Sequence, residues 1–316
     1  MCCREETGCA WRIILHMLNM KAGNVMKLFV DDVPFLKANF HLHTTCSDGA
    51  AAPEEAMRLY REAGYDVLAI TDHRKVTLVD HAPDGLLMIP GIELDYLNSC
   101  MATHILGLNV TPEVPERWDR QGTAQQGIDL IRACGGEAVL AHPAWSLNTP
   151  AYMASLEGLI GTEIWNSVST VPVNPNRADS SSLIDVMCTS YDRMLPVFAN
   201  DDTHRYGAEL AAAATMVQAA EKTPEAVMQS LREGRFYATQ GPAFRQVSYE
   251  DGVVRVVCSP VDTVMFYSNL PWAAGRVVMG QGLTCAEYPI HRNERYVRVQ
   301  LLDENGSSAW CAPFRV

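Results

Sequence analysis

His41-Leu42-His43-Thr44-Thr45-Cys46-Ser47-Asp48-Gly49 follows directly on the apolar stretch Val33 to Phe40 and gathers three candidate metal ligands within eight residues. On an extended strand, residues two apart project from one face, so His41 and His43 point the same way. Asp48 lies in a Ser-Asp-Gly turn just beyond, where its carboxylate can return over the strand end. A lone His-x-His pair is equally well an ordinary buried or surface pair. The rest of the chain decides between these readings.

Four further segments repeat the arrangement of an apolar run followed by ligand-type residues. Tyr65 to Ile70 precedes Thr71-Asp72-His73, and Leu86 to Ile92 precedes Glu93. Ala138 to Ala141 precedes His142-Pro143, and Leu195 to Ala199 precedes Asn200-Asp201-Asp202-Thr203-His204. A fifth apolar stretch, Ala102 to Leu108, carries His104 near its start. Six of the nine histidines thus sit at or beside predicted strands, which six unrelated core histidines would not do. The full set is His41, His43, Asp48, His73, Glu93, His104, His142, Asp202 and His204. It exceeds the need of one catalytic zinc, which takes about three protein ligands plus water. Imidazoles and carboxylates without thiolate suit Zn, Mn or Fe, and not the oxygen-rich shells of Ca or Mg. With a bridging carboxylate the set would serve two or three divalent ions. Closely spaced ions clamp the attacking and leaving oxygens of a displacement and lower the pKa of a bound water to about 7, so metal-assisted hydrolysis is the expected reaction class.

The ordered pattern His-x-His-x4-Asp-Gly, Thr-Asp-His, Gly-Ile-Glu, a strand histidine, Ala-His-Pro and Asp-x-His resembles the PHP (polymerase and histidinol phosphatase) family over roughly residues 34–238. The resemblance implies an α/β fold, a distorted (β/α)7 barrel. It also implies phosphoester hydrolysis by a metal-activated water at a trinuclear centre on the C-terminal ends of the strands. Carried over residue by residue, it implies one ion on His41, His43, Glu93 and Asp202, and a second on Glu93, His104 and His142. A third falls on Asp48, His73 and His204, with Glu93 as the bridge. Every such position holds a competent residue, which argues against a non-catalytic member. Asp95, two after Glu93, competes with it for the bridging role, although the resemblance favours Glu93. Asp201 neighbours Asp202 and on an extended backbone faces the other way, which suits a residue that orients a ligand histidine. Asp72 reads as a turn residue or a support for a ligand.

Composition sets the wider frame. A chain of 316 residues, 48% hydrophobic and 20% charged, has material for one large domain and a small one. No stretch approaches the ~20 apolar residues of a membrane span. Ten cysteines without a Cys-x-x-Cys pair read as buried free thiols of a cytoplasmic protein. Residues 1–25 read as an N-terminal extension and 26–241 as the barrel. Helical spacing with Pro starts or Gly stops marks Pro53 to Ala63, Ala124 to Cys134 and Thr223 to Glu233. From about residue 242 to 316 the pattern turns to strands around Glu250-Asp251-Gly252, a hairpin signal, and predicts a small all-β, sandwich-like domain. From Ala243 onward seven arginines balance seven acids without any lysine, so the whole net charge of −12 belongs to the first part. Trp272 and Trp310 suit either a stacking surface for a sugar or base, or packing within the domain or against the barrel.

A phosphate also needs cations beside the ions. Arg205 follows His204, Arg74 and Lys75 follow His73, and Arg177 lies in Asn174-Pro175-Asn176-Arg177. Arg177 and Arg205 are the candidates to join Glu93 and Asp202 in catalysis, since a guanidinium holds phosphate bidentately. The expected substrate is a small phosphomonoester or nucleotide. A 5'-end exonuclease acting on short oligonucleotides is the alternative, and the acidic barrel segment opposes the basic track it would need. The third reading is a non-catalytic binding protein with a metal-stabilised barrel, its β-domain serving assembly as a homo-oligomer. No glycine-rich nucleotide loop supports a kinase or dehydrogenase.

Overall fold

The computed structural model describes residues 25–97 and 101–316. Apart from Val25, the expected N-terminal extension lies outside the described residues, with Cys2, Cys3 and Cys9, and so does Cys100. In chain order the elements begin β1 (Met26–Lys27), β2 (Phe35–Asn39), α1 (Pro53–Glu62), β3 (Val67–Leu68), β4 (Leu87–Met88), β5 (Gly91–Leu97) and β6 (Ala102–Leu108). There follow α2 (Glu113–Arg117), α3 (Ala124–Ala133), β7 (Glu137–Leu140), α4 (Pro150–Ser155), β8 (Leu159–Asn166), α5 (Ser181–Tyr191), β9 (Val197–Asn200), β10 (Ala214–Gln218), α6 (Pro224–Arg232) and β11 (Phe236–Thr239). The rest is strand: β12 (Phe244–Glu250), β13 (Val253–Tyr267), β14 (Val277–Pro289), β15 (Tyr296–Leu302), β16 (Ser308–Cys311) and β17 (Phe314–Arg315).

Local chemistry accounts for the helices. Pro53 opens α1, Glu54 and Glu55 occupy its first turn, and Ala56, Met57 and Tyr60 form its buried face. Thr123 and Gln126 close a capping box on α3. In α6 the Thr223 hydroxyl accepts from the Ala226 N–H and Pro224 takes the first helical position.

Among the described residues the strands form two sheets and no closed barrel, where the family resemblance implied a distorted (β/α)7 barrel. Twelve belong to one sheet, with the order β1-β12-β13-β15-β16-β11-β10-β2-β3-β4, β14 on β13 and β17 on β15. The other is β5-β6-β7-β8-β9. A closed α/β barrel needs a helical crossover between neighbouring parallel strands, a dozen residues or more. Between Leu97 and Ala102 there is no room for one, and β5 pairs antiparallel with β6. The β6–β7 pair is antiparallel as well. Only β2-β3-β4 and β7-β8-β9 keep parallel ladders. Two isolated parallel bridges, Leu42 to Thr203 and His73 to Glu93, tie the sheets together just beyond the strand ends. Below them Ala38, Phe40, Val67, Leu106, Val139 and Phe198, drawn from both sheets, pack into one apolar cluster.

The C-terminal strands enclose a second apolar core that includes Val254, Val256, Val264, Phe266, Val299 and Leu301. They are not set apart by hydrogen bonding, because β16 pairs with β11 through Tyr237 to Cys311 and Thr239 to Ala309. β1 pairs with β12, and Phe29 joins the same core, so residues just after 25 pack with the C-terminal strands. Where α5 meets this region, fully buried Arg298 makes two hydrogen bonds to Asp185, of 2.9 and 2.7 Å. Trp310 is buried and stacks on Trp165 of β8 at 5.9 Å, whereas Trp272 is exposed. The two tryptophans therefore form no common stacking surface, and Trp310 serves packing. Among the described residues no helix is long and apolar enough to cross a membrane.

Candidate metal centre

Strand geometry brings the candidate ligands to one place. Past β2 the alternation continues, so His41 and His43 turn to one side while Leu42 packs on the other with Met57 and Tyr60 of α1. Glu93 sits on β5, His104 on β6, and His142, Asp202 and His204 follow β7 and β9. His142 and Asp202 adopt left-handed φ values of 28° and 54°. Such conformations in non-glycine residues cost about 1–3 kcal/mol and persist where the surroundings enforce them.

Glu93 lies at the middle. Its Oε1 is 2.8 Å from His104 Nδ1, 3.3 Å from His41 Nε2 and 3.4 Å from His142 Nε2. Its Oε2 is 3.1 Å from both His43 Nε2 and His73 Nδ1. Asp202 Oδ1 is 3.2 Å from His41 Nε2 and 3.1 Å from His43 Nε2. Asp48 Oδ2 lies 3.4 Å from His204 Nε2 and 3.7 Å from His73 Nε2. Donor atoms within 4.8 Å of one another fall into three groups: His41, His43 and Asp202; His41, Glu93 and His142; and His43, Asp48, His73 and His204. The first two are buried and the third is the mouth, where the Asp48 side chain is 54% exposed.

These residues fit bound cations. His73 Nδ1 and Asp202 Oδ1 are buried and make no hydrogen bond of good geometry, although Glu93 Oε2 and His43 Nε2 respectively lie 3.1 Å away. A buried polar atom left so costs about 1–3 kcal/mol, and both atoms carry lone pairs that an ion would satisfy. The electrostatics agree. Burial alone would push His43 down, but hydrogen bonds and charge from Asp202 and Glu93 overcome it and raise the imidazole to about 9. Against its own burial, Glu93 is held well below the usual carboxylate range by His41, His104 and His73. The cluster therefore attracts positive charge, and protons compete with any ion for the same lone pairs.

Several supporting residues escaped the sequence. Glu163, fully buried on β8, has Oε1 2.9 Å from His41 Nδ1 and accepts from the His142 N–H at 2.8 Å through Oε2. Asn166 and Asn200 donate to its two oxygens, each at 2.9 Å. The available signal was an acid and an amide inside the apolar run Leu159 to Asn166. Asp72 accepts from the Thr44 N–H and hydroxyl and from Ser47, which fixes the loop that carries Asp48. Asp201 supports no histidine. It accepts from Tyr60, Ser167 and the N–H groups of Ala211 and Ala213, and burial pushes it up to about 7. Asp95 is taken by Arg74, at 2.5 and 3.1 Å.

The two arginine candidates are not drawn into the cluster. Arg177 and Arg205 are both exposed, and the Arg205 N–H donates to Glu209. The loop of Arg177 is nonetheless tied to the site. Asn174 accepts from the Trp145 indole N–H at 3.1 Å, and Trp145 packs edge-on against His142 and His104 at 4.9 and 5.7 Å.

No family model matches the sequence. An 85-residue stretch, 25% of this chain, is 32% identical to a 5'-3' exoribonuclease of Haemophilus influenzae. A 79-residue stretch is 34% identical to the 5'-3' exoribonuclease Rnm of Escherichia coli. The matched stretches span only 31% and 27% of those relatives. Among solved structures, a two-domain protein from Bacteroides vulgatus containing a predicted PHP-like metal-dependent phosphoesterase superposes with a TM-score of 0.50 at 15% identity. The superposition covers 94% of this chain and 99% of that one. By its architecture, the chain shares the fold of that two-domain protein.

Proposed function

We propose that this protein hydrolyses phosphate esters with two or three divalent transition-metal ions, drawn from Zn, Mn and Fe. The observation that carries the reading is the convergence of five histidines with Glu93, Asp202 and Asp48 in three donor groups, His104 joining through Glu93, with two buried lone-pair atoms that make no well-formed hydrogen bond. Glu93 contacts five of those histidines through its two oxygens, which suits a bridge. His41, His43 and Asp202 complete one site, His104 and His142 a second, and Asp48, His73 and His204 the third. Ions held by these residues would supply Lewis-acid charge beside the phosphate and lower the pKa of water there. The chain's own part is to hold the ligands rigid, exclude bulk water from the buried groups and open the site on the Asp48 side. Arg177 and Arg205 are the cations we place beside the substrate phosphate.

The substrate class we favour is a small phosphomonoester or nucleotide. The net charge of −12 opposes a long polyanion, and each further phosphate contact would need its own cation. The 5'-3' exoribonuclease reading is kept alive by the partial identity to two such enzymes. One experiment separates the two. The metal-loaded protein is offered a phosphomonoester panel and a 5'-phosphorylated single-stranded RNA ladder at two salt concentrations. Turnover of small monoesters with little salt dependence is expected. Efficient, salt-sensitive shortening of the ladder promotes the exoribonuclease, and no hydrolysis of either overturns the enzyme reading.

A further inference from the structure

Glu163 touches the buried half of the cluster and none of its mouth. Its Oε1 meets His41, a residue shared by both buried donor groups, and its Oε2 accepts from the backbone of His142. Asn166 donates to Glu163 and also, at 3.2 Å, to Asp202 Oδ2. Three residues of the buried groups are thus fixed by this one carboxylate and its amide neighbour. Asp48, His73 and His204 have no hydrogen bond or ion pair to it among the described residues.

The direction of each hydrogen bond follows from the network. Asn200 accepts from the Phe40 N–H at 2.9 Å, and Asn166 accepts from the Ser169 hydroxyl at 2.7 Å. Asn200 cannot flip without losing its bond from a backbone N–H, and a flipped Asn166 would set its oxygen against the carboxylates of Glu163 and Asp202, so both present NH2 to Glu163. With an ionised Glu163 as pure acceptor, His41 must carry its proton on Nδ1. Its Nε2 then faces Glu93 and Asp202 as a free lone pair when an ion is bound. A hydrogen bond at the far nitrogen is what fixes the tautomer and ring angle of a ligand histidine.

We infer that Glu163 is the positioning residue of the buried pair of ion sites: it sets the His41 tautomer and pins His142, while the outer site at Asp48 is independent of it. The inference rests on the metal-binding part of the proposed function but not on any substrate. Glu163→Gln is the sharp probe, because a glutamine has one acceptor oxygen and would set its NH2 against two of the four donors.

The test is a zinc titration of the chelated protein against a competing fluorescent chelator, for the wild type, Glu163→Gln and Asp48→Ala. Asp48→Ala identifies the outer step by weakening it. In Glu163→Gln, the inner steps are expected to weaken by about 10–100-fold, the outer step by less than about twofold, with an unchanged circular dichroism spectrum. Equal weakening of every step, or of none, overturns the proposal. Should Glu163→Gln not fold, Asn166→Ala carries the test with the same pattern at smaller amplitude. A protein that binds zinc in this pattern yet hydrolyses no phosphoester would refute the proposed function and leave this inference standing.

Discussion

The histidine cluster and the junction under Trp310 both bury charge, and both leave buried polar atoms without a well-formed hydrogen bond. What they leave differs. At the cluster the orphans are His73 Nδ1 and Asp202 Oδ1, atoms with lone pairs. At the junction they are Arg298 Nη1 and Trp310 Nε1, which can only donate. A cation fits the first and is repelled by the second. The junction also neutralises its own charge, since Arg298 meets Asp185 in two hydrogen bonds and lies 4.3 Å from the Tyr267 ring. Buried charge at the cluster thus points to chemistry and at the junction to packing within the chain. Burial alone distinguishes neither.

The sharpest break of this contrast is Glu93→Gln. If Glu93 bridges, turnover by the metal-loaded protein should fall at least about 1000-fold, ~4 kcal/mol of barrier, without loss of thermal stability in the metal-free protein. Steady-state kinetics retaining a tenth of the activity would move the bridge elsewhere. Arg298→Ala should do the opposite. Breaking a buried ion pair costs about 3–5 kcal/mol, and the lower end applies because Asp185 keeps 21% side-chain exposure. Urea unfolding should show that loss while kcat per bound metal stays within twofold. A collapse of kcat in folded, loaded protein would mean that the junction helps to shape the site.

Smaller effects sharpen the picture. Thr223→Ala removes the cap of α6, which carries none of the candidate ligands, and should cost about 1 kcal/mol in denaturant melts with no kinetic change. Arg205→Ala should raise KM about threefold, ~0.6 kcal/mol, with kcat nearly constant. An unchanged KM would remove Arg205 from the substrate's surroundings.

What the sequence disclosed depended on range. His41 and His43 are two residues apart, so strand periodicity alone aligns them, whereas Asp202, at a left-handed φ of 54° beyond β9, reaches the cluster by a turn that periodicity does not describe. Pro53 and Thr223-Pro224 announce the starts of α1 and α6, and Gly135-Gly136 the end of α3, through local chemistry. Glu163 was hidden because its partners lie 122 residues away at His41 and 37 away at Asn200. Sheet connectivity was hidden for the same reason. A run such as Phe236–Thr239 is compatible with many neighbours, and register with a distant strand is not encoded in four residues. Strand length was also underread. Val253 to Cys258 and Val264 to Tyr267 look like two strands but form one, β13, with irregular pairing between them.

The β11–β16 pairing has a consequence in time. Thr239 and Ala309 face each other across the ladder, so β11 waits for roughly seventy further residues before that edge is covered. At ~5–20 residues per second, the ribosome takes about 4–14 s to supply them. Throughout that interval the nascent chain carries an open strand edge, the kind of surface on which other chains add. Everything needed for the histidine cluster has been synthesised by His204, yet β11, in the sheet whose β2 leads to His41 and His43, gains its second neighbour only with Ser308–Cys311. The chemistry is written early in the chain and made safe late.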